Sequence, residues 1–438
     1  MECENITTIL CSLYLFCDRF RWIFCQLEAV RHCFPSSLRH VLDALPETLD
    51  ETYERMLRNI HKAKRDHAHR LLQCLTVAAR PLRIVELAEV LAIDFGTARC
   101  RGTSKPNINW PLEDQRHAVL STCSSLIIVV DQEDTQVVQF SHFSVKEFLT
   151  SPRLASSDSD VSRFHIPLES AHTILAKACL GVLLRSDDRL NRYDIHANFL
   201  LAQYAAEHWA DHAQFGGVSS QVQEEMKELF DPMKPFFAAW IRLHDKDTRP
   251  SHKFPLYHFA VLSSKRLAAA PLYYAALCGF HDLAEHLTVN YPEQVNAIGG
   301  YYVSPLGAAL RAEHLKIAQL LYQHGADVDV RGYGKRTLLC AASCRHRGIV
   351  EWLLHRGADP NIGGSRTGWT PLHFAAAFGR TEIAMILLQY KAVVNAQDDD
   401  GQTPLRLASK REHVDIARLL VEHGKNSDLE DFEGRTVF

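Results

Sequence analysis

A serine or threonine recurs every 33 residues toward the C-terminus, at Ser304, Thr337, Thr370, Thr403 and Thr436. A fixed period of that length restricts the fold to an array of stacked supersecondary units, because one such unit is too small to bury its own apolar face. The unit is clearest at Thr370-Pro371-Leu372-His373-Phe374-Ala375-Ala376. It returns at Thr403-Pro404-Leu405-Arg406-Leu407-Ala408-Ser409, and more loosely at Ser304-Pro305-Leu306-Gly307-Ala308-Ala309 and Thr337-Leu338-Leu339-Cys340-Ala341-Ala342.

The array starts near Ala270-Pro271-Leu272 and holds five units and the opening of a sixth, Glu433 to Phe438. Each unit predicts an inner helix and then an outer helix that ends in a Gly-Ala-Asp turn, as at Gly325-Ala326-Asp327 and Gly357-Ala358-Asp359. Glycine supplies the left-handed cap at little steric cost, so Lys391 at that place in the fourth unit carries a modest local penalty. The third unit is one residue shorter across its helices and one longer in its finger loop, which preserves the period. These segments resemble the ankyrin repeat. The resemblance implies a surface for another protein and no chemistry of its own.

With 438 residues the chain exceeds a single core. Leu49 to Ile60 sets Leu49, Tyr53, Met56, Leu57 and Ile60 on one helix face. His67 to Ala79 and Ile84 to Ile93 predict two further helices, joined by the Arg80-Pro81-Leu82 turn. A loop follows, Gly96 to Pro111. Ser125 to Val130 and Gln136 to Phe140 then read as an antiparallel strand pair, and Val145 to Leu149 as a short helix. Helices followed by a two-stranded wing make a winged helix. A polar linker, Ser156 to Ser162, leads to a helical block with helices at His172 to Leu184, Phe199 to Ala213, Gln221 to Phe230 and Phe236 to His244, and Thr248 to Pro255 connects it to the repeats.

Phe20-Arg21-Trp22-Ile23-Phe24-Cys25-Gln26-Leu27, Leu45-Pro46-Glu47-Thr48-Leu49-Asp50-Glu51-Thr52-Tyr53 and Phe140-Ser141-His142-Phe143-Ser144-Val145-Lys146-Glu147-Phe148-Leu149 resemble the segment that follows the NACHT nucleotide-binding domain in fungal NACHT–ankyrin proteins. The resemblance runs from about Arg19 onward and leaves out the first 18 residues. It implies a winged helix that regulates an ATPase switch, with the ATPase placed before the Phe20-Arg21-Trp22 segment. The expected fold class is mainly α: a winged-helix and helical N-terminal region followed by an ankyrin-repeat solenoid. The expected divisions are an N-terminal helical segment (1–37), a winged-helix-like domain (38–155), a helical linker domain (163–255) and the repeats (266–438).

Composition narrows the function. The formal net charge of −4 calls for neither nucleic acid nor an anionic membrane. The apolar run Ile6 to Cys17 is short of the roughly 20 residues of a membrane span, and Glu2 and Glu4 replace the positive start of a signal peptide. Twelve cysteines, five of them in the first 33 residues, form no C-x-x-C pair and read as free thiols of a reducing, cytoplasmic compartment.

The chain contains no Gly-x4-Gly-Lys-Ser/Thr phosphate loop. Its nearest imitation, Gly332-Tyr333-Gly334-Lys335-Arg336-Thr337, has the wrong spacing and falls in a finger loop. His208 and His212 lie at i, i+4, but Trp209 stands where a zinc protease needs its glutamate, so two surface histidines are expected. Cys340, Cys344 and His346 read as repeat packing. Ser141, His142, Ser144 and Glu147 lack a nucleophile turn; Ser144 reads as a helix N-cap with Glu147 closing a capping box. Glu86 and Glu89 on the candidate recognition helix would repel phosphates, which disfavours duplex DNA there. No catalytic, cofactor or metal residues are expected.

The expected function is a non-catalytic scaffold or sensor that binds a protein ligand on the concave ankyrin face. The fingers change sign along the stack, from Arg331, Lys335, Arg336 and Arg366 to Asp398, Asp399 and Asp400, and on to Glu430, Asp431 and Glu433. Such a gradient orients a complementary partner. Tyr333 and Trp369 are candidate aromatic anchors among them. The NACHT resemblance implies a gene-model fragment, a decoy, or a chain that associates in trans with a NACHT ATPase. The alternative is an ATP-dependent signalling NTPase whose nucleotide-binding domain lies outside this chain.

Overall fold

The computed structural model describes residues 48–93, 119–123, 125–132, 135–185, 199–244, 269–300, 302–329, 347–364 and 367–424. The predicted segment 1–37, the 96–111 loop, the 248–255 connector, the 332–337 finger, the inner helix of the third repeat and the partial sixth repeat lie outside them. The chain divides into two compact units, Met1–Glu225 with Ala238–His244, and Met226–Phe237 with Asp245–Phe438.

In the first unit, helix α1 (Leu49–Arg58) starts on Thr48, whose hydroxyl accepts the Glu51 N–H. Asp50 and Glu51 stand in its first turn, where the helix dipole favours negative charge. Helix α2 (Arg65–Val77) buries Ala68, Leu71 and Leu72, and leads through Pro81 into strand β1 (Leu82–Arg83) and helix α3 (Ile84–Leu91). Strands β2 (Ile127–Gln132) and β3 (Thr135–Phe140) pair antiparallel, and β1 adds to the far side of β3. The wing therefore has three strands where the sequence predicts two. Leu82 pairs with Val138 and is fully buried, so apolar burial draws what reads as a simple turn into the sheet.

Helix α4 (Phe143–Thr150) corrects a predicted cap. Its N-cap is His142, whose Nδ1 accepts the Ser144 N–H at 3.3 Å. Ser144 lies inside the first turn, buried, with its hydroxyl 2.8 Å from the Tyr53 hydroxyl and 2.6 Å from His142 Nδ1. A buried tyrosine hydroxyl needs a partner, and Ser144 supplies it.

The predicted linker at 156–162 is also not open chain. Short helices α5 (Pro152–Ala155) and α6 (Ser159–Ser162) occupy it, Val161 and Phe164 are fully buried, and Asp160 pairs with Arg65 at 2.9 Å. Helix α7 (Leu168–Leu183) then packs against both α2 and helix α8 (Ala202–Ala213), so the winged helix and the block after it share one core. Helices α9 (Val218–Gln221), α10 (Gln223–Leu229) and α11 (Phe236–Leu243) follow. Trp209 and Trp240 are fully buried edge to face, 5.4 Å apart, and the Trp240 indole donates to the Ala206 carbonyl at 3.0 Å.

The second unit is built from antiparallel helix pairs: α12 (Pro271–Cys278) with α13 (His281–Asn290), α14 (Pro305–Arg311) with α15 (Leu315–Gln323), α17 (Pro371–Ala377) with α18 (Thr381–Gln389), and α19 (Pro404–Lys410) with α20 (Val414–His423). Helix α16 (Arg347–His355) is the outer helix of the third repeat. These are the ankyrin repeats expected from the period, and the period has a local cause. Ser304 and Thr403 cap α14 and α19 by accepting the Gly307 and Arg406 N–H groups, and proline follows as the first helical residue, where its missing N–H costs nothing. The outer helices of the second and third repeats end as predicted in left-handed backbone at Gly325 and Gly357, and Lys391 after the fourth is forced into the same region at φ 65°, whereas α13 and α20 end in other backbone at Tyr291 and Gly424.

Adjacent repeats are tied through their loops. The Asn296 side chain accepts the Asp327 N–H at 2.9 Å and donates to the Gly325 carbonyl at 2.9 Å. Asn361 does the same two repeats along, accepting from Val393 at 2.7 Å and donating to the Lys391 carbonyl, and Asp329 accepts from Asp359 between them. On the outer helices, Tyr322 of α15 meets Trp352 of α16 edge to face at 5.6 Å with Arg356 over both rings, and Tyr390, just past α18, contacts His355. Leu387 of α18 is fully buried. Leu387→Ala is expected to cost roughly 2–5 kcal/mol of stability, read as a lowered denaturation midpoint in urea.

Candidate functional site

The candidate site is built from the fingers and inner helices of the fourth and fifth repeats. The first finger folds back on itself, with the Gly364 N–H donating to the Trp369 carbonyl at 2.8 Å. The second closes between Asp398 and Gln402. Asp398 organises both: its Oδ1 accepts the Asp400 and Gln402 N–H groups at 3.0 and 2.7 Å, and its Oδ2 accepts the Trp369 indole N–H at 2.9 Å. The Asp399 N–H donates to the Thr367 carbonyl at 3.0 Å. Gly368, at φ 65°, passes under Asp399 so closely that a Cβ there would sit 2.6 Å from its carboxylate. Only glycine fits.

This geometry sorts the residues picked from the sequence. Asp398 is only 7% exposed and spends its carboxylate on the loop. Trp369 is half-buried and held by it. Asp399 and Asp400 are exposed at the tip. Arg331, Tyr333, Lys335, Arg336 and Arg366 lie outside the described residues, so the basic half of the predicted gradient is not placed.

Two further aromatics join the site, which the sequence reading left out. Phe374 and Phe378 stand four residues apart on and just after α17, on one side. Trp369 meets Phe374 edge to face at 5.1 Å, and Phe374 and Phe378 lie near parallel at 6.3 Å. The Arg411 guanidinium sits 5.5 Å over the Phe378 ring and donates to the Ala377 carbonyl at 3.0 Å. Phe378 remains 40% exposed. By contrast, the inner helix α14 is buried from Pro305 to Leu310. Among the described inner helices, the accessible surface thus falls on the later repeats. The signal was an aromatic pair at places where the flanking units carry Ala341 with Arg345 and Leu407 with Arg411.

Beneath this face His373 is completely buried. Its Nδ1 accepts the Thr370 N–H at 3.1 Å, which leaves the proton on Nε2, donated to the Gln402 carbonyl at 3.0 Å. Burial lowers its pKa below the ordinary 6.5, against the opposing effect of the Gln402 carbonyl and the Asp398 charge. The neutral ring is thus the form that ties α17 to the next finger.

Other residues singled out in the sequence have structural partners. Glu86 is buried, held by Arg80 at 2.7 Å and Arg83 at 2.8 Å. Burial alone would raise its pKa, but the Arg80 hydrogen bond, the Arg83 N–H and both positive charges leave it below the ordinary value. Glu89 is buried too and accepts the Leu201 N–H at 2.7 Å; there burial prevails and raises its pKa. These carboxylates face inward, not toward solvent as the sequence argument assumed. Helix α3 is nevertheless unsuited to a DNA groove, because it is packed on most of its surface.

His212 is likewise not a surface residue. It is buried with Nε2 2.9 Å from the Tyr204 hydroxyl and Nδ1 2.9 Å from His172 Nδ1, so both ring nitrogens are engaged, while His208 faces Asp211. Among the described residues no cluster of three or more His, Cys, Asp or Glu side chains is arranged to hold a metal ion. Cys74, Cys123, Cys179 and Cys278 are buried and not joined in disulfides, and burial pushes the Cys74 and Cys123 thiols up to about 12.

Comparison with known families agrees with this architecture. Residues 272–364 and 362–431 match the family model for ankyrin repeats, three copies, and residues 53–162 match that for the GPI inositol-deacylase, winged helix domain. The chain thus carries ankyrin repeats in its C-terminal region and a winged-helix domain in its N-terminal region. It is 31% identical over 310 residues to the azaphilone pigments biosynthesis cluster protein L of Monascus ruber, a match over 66% of this chain and 61% of the relative. It is 31% identical over 90 residues to an inhibitor of Bruton tyrosine kinase from Xenopus laevis (20% of this chain, 7% of the relative). It is 30% identical over 133 residues to ankyrin repeat and SAM domain-containing protein 6 of Mus musculus (30% and 15%). The chain thus spans less than two thirds of the length of these relatives.

Two predictions follow from the site. Asp398→Ala orphans the Trp369 indole and two loop N–H groups and is expected to cost about 1–3 kcal/mol, whereas Asp399→Lys with Asp400→Lys leaves the urea midpoint unchanged. Because His373 titrates below 6.5 when folded, the unfolded chain binds a proton first as pH falls. Stability is therefore full above that value and lost as pH drops below it toward the folded pKa. The thermal midpoint is expected to fall between about pH 7.5 and 5.5, and His373→Gln should flatten the slope in part, since His69, His172 and His314 are also lowered.

Proposed function

We propose that this chain is a non-catalytic interaction protein whose ankyrin repeats hold a protein partner, with the fourth and fifth repeats supplying the contact surface. Ankyrin repeats are protein-interaction modules, and a role in interaction is the coarse reading they support. The observation that carries the finer one is the Trp369, Phe374 and Phe378 series, which runs from the finger along α17 and ends in the exposed Phe378, flanked by exposed charge. Aromatics in such a setting dominate interface energetics. Surface-charge solvation accounts for Asp399 and Asp400 alone, but not for an exposed phenylalanine with an arginine laid over it.

The N-terminal unit is proposed as the regulatory part of a NACHT-type switch, joined in trans to a NACHT ATPase. The winged-helix match and the sequence resemblance support that role. The buried free thiols support a reducing, cytoplasmic setting. Affinity capture with the full chain as bait tests the proposal. One stoichiometric protein partner, reconstituted from purified components and weakened by Phe378→Ala, is expected; turnover of ATP by the purified chain, or no partner at any salt concentration, would sink it.

A further inference from the structure

The aromatic series has opposite charge at its two ends, which says more about what it holds. At the fingertip end stand Asp399 and Asp400, exposed, while Asp398 beside them is buried under its own hydrogen bonds. At the opposite end, past the C-terminus of α17, stand Lys410 and Arg411, exposed, with Glu412 next in sequence. Arg411 is fixed by the Ala377 carbonyl and the Phe378 ring, so its charge is held over the apolar strip. Between the ends the ring centroids step by 5.1 and then 6.3 Å. An extended chain advances about 3.3 Å per residue, so three rings match roughly three to four residues of an extended peptide.

Resting on the interaction reading above, we infer that this face receives an extended peptide segment with a short apolar or aromatic centre, a basic residue toward Asp399 and Asp400, and an acidic residue toward Lys410 and Arg411. The apolar centre supplies the affinity by covering Phe374 and Phe378. The charged ends fix the direction in which the segment lies, since a reversed segment would set like charges together at both ends. Two features preorganise the face: Asp398 pins the Trp369 indole, and His373 ties α17 to the neighbouring finger. Binding therefore does not have to order these groups.

Selection of a random dodecapeptide phage library on the full chain tests this, followed by fluorescence anisotropy of the leading peptide. The expected peptides carry Lys or Arg at one end, three or four apolar residues, and Asp or Glu at the other. Phe374→Ala and Phe378→Ala should each weaken binding at least tenfold with an unchanged circular dichroism spectrum. Asp399→Lys with Asp400→Lys should instead select peptides acidic at both ends. Peptides of another pattern, binding indifferent to these substitutions, no enrichment, or self-association of the chain lost on Phe378→Ala would each overturn the inference. A captured protein partner that ignores these substitutions would sink this surface while leaving the interaction reading standing; absence of any partner would sink both.

Discussion

The repeat unit depends on hydrogen bonds that it cannot make by itself. A helix pair of this size leaves one apolar face open, and a neighbour must cover it in the correct register. Register here comes from polar side chains that reach across: Asn296, Asp329 and Asn361 each accept an N–H from the next repeat, and His373 donates to Gln402. Burial of Leu306, Leu321, Leu372 and Leu387 provides the drive, and the bridging side chains admit only one alignment of the helices. The candidate site inherits its rigidity from this, since the same fingers that dock on one another present Asp399 and Asp400 outward.

The N-terminal unit is held by a different device. Its winged helix is joined to the helices that follow through buried ionic and polar groups. Arg83 reaches the Leu200 carbonyl, Glu89 takes the Leu201 N–H, and the Tyr204 hydroxyl accepts the Ala79 N–H while meeting His212. Such groups are costly to bury unless satisfied together, so their value lies in choosing one arrangement of α3 against α8.

Much of the fold was legible because periodicity reports on burial. The helices of both units and the strand pair follow from apolar spacing, and the 33-residue register follows from capping and proline placement. What failed depended on long-range partners. The 156–162 stretch looks polar, yet Asp160 finds Arg65 and Val161 finds the core. Ser144 has the spacing of a cap, but Tyr53, 91 residues away, claims its hydroxyl. Glu86, Glu89 and His212 look like surface charge and are buried with partners. In the site, Trp369 and the acidic tip were legible from loop position. The division of labour between Asp398 and its neighbours was not, because it turns on which carboxylate the loop itself consumes.

Among the described residues the tryptophans fall in two kinds of surroundings, one in each unit. Trp209 and Trp240 sit edge to face in the dry core of the first unit, a setting of blue-shifted emission. Trp352 and Trp369 are half-exposed in the repeats, one beside an arginine and one hydrogen-bonded to a carboxylate, so they emit from polar surroundings. Loss of order around Trp209 and Trp240 would therefore shift their emission to the red, while occupancy of the repeat face would perturb Trp369, so these side chains report on different events.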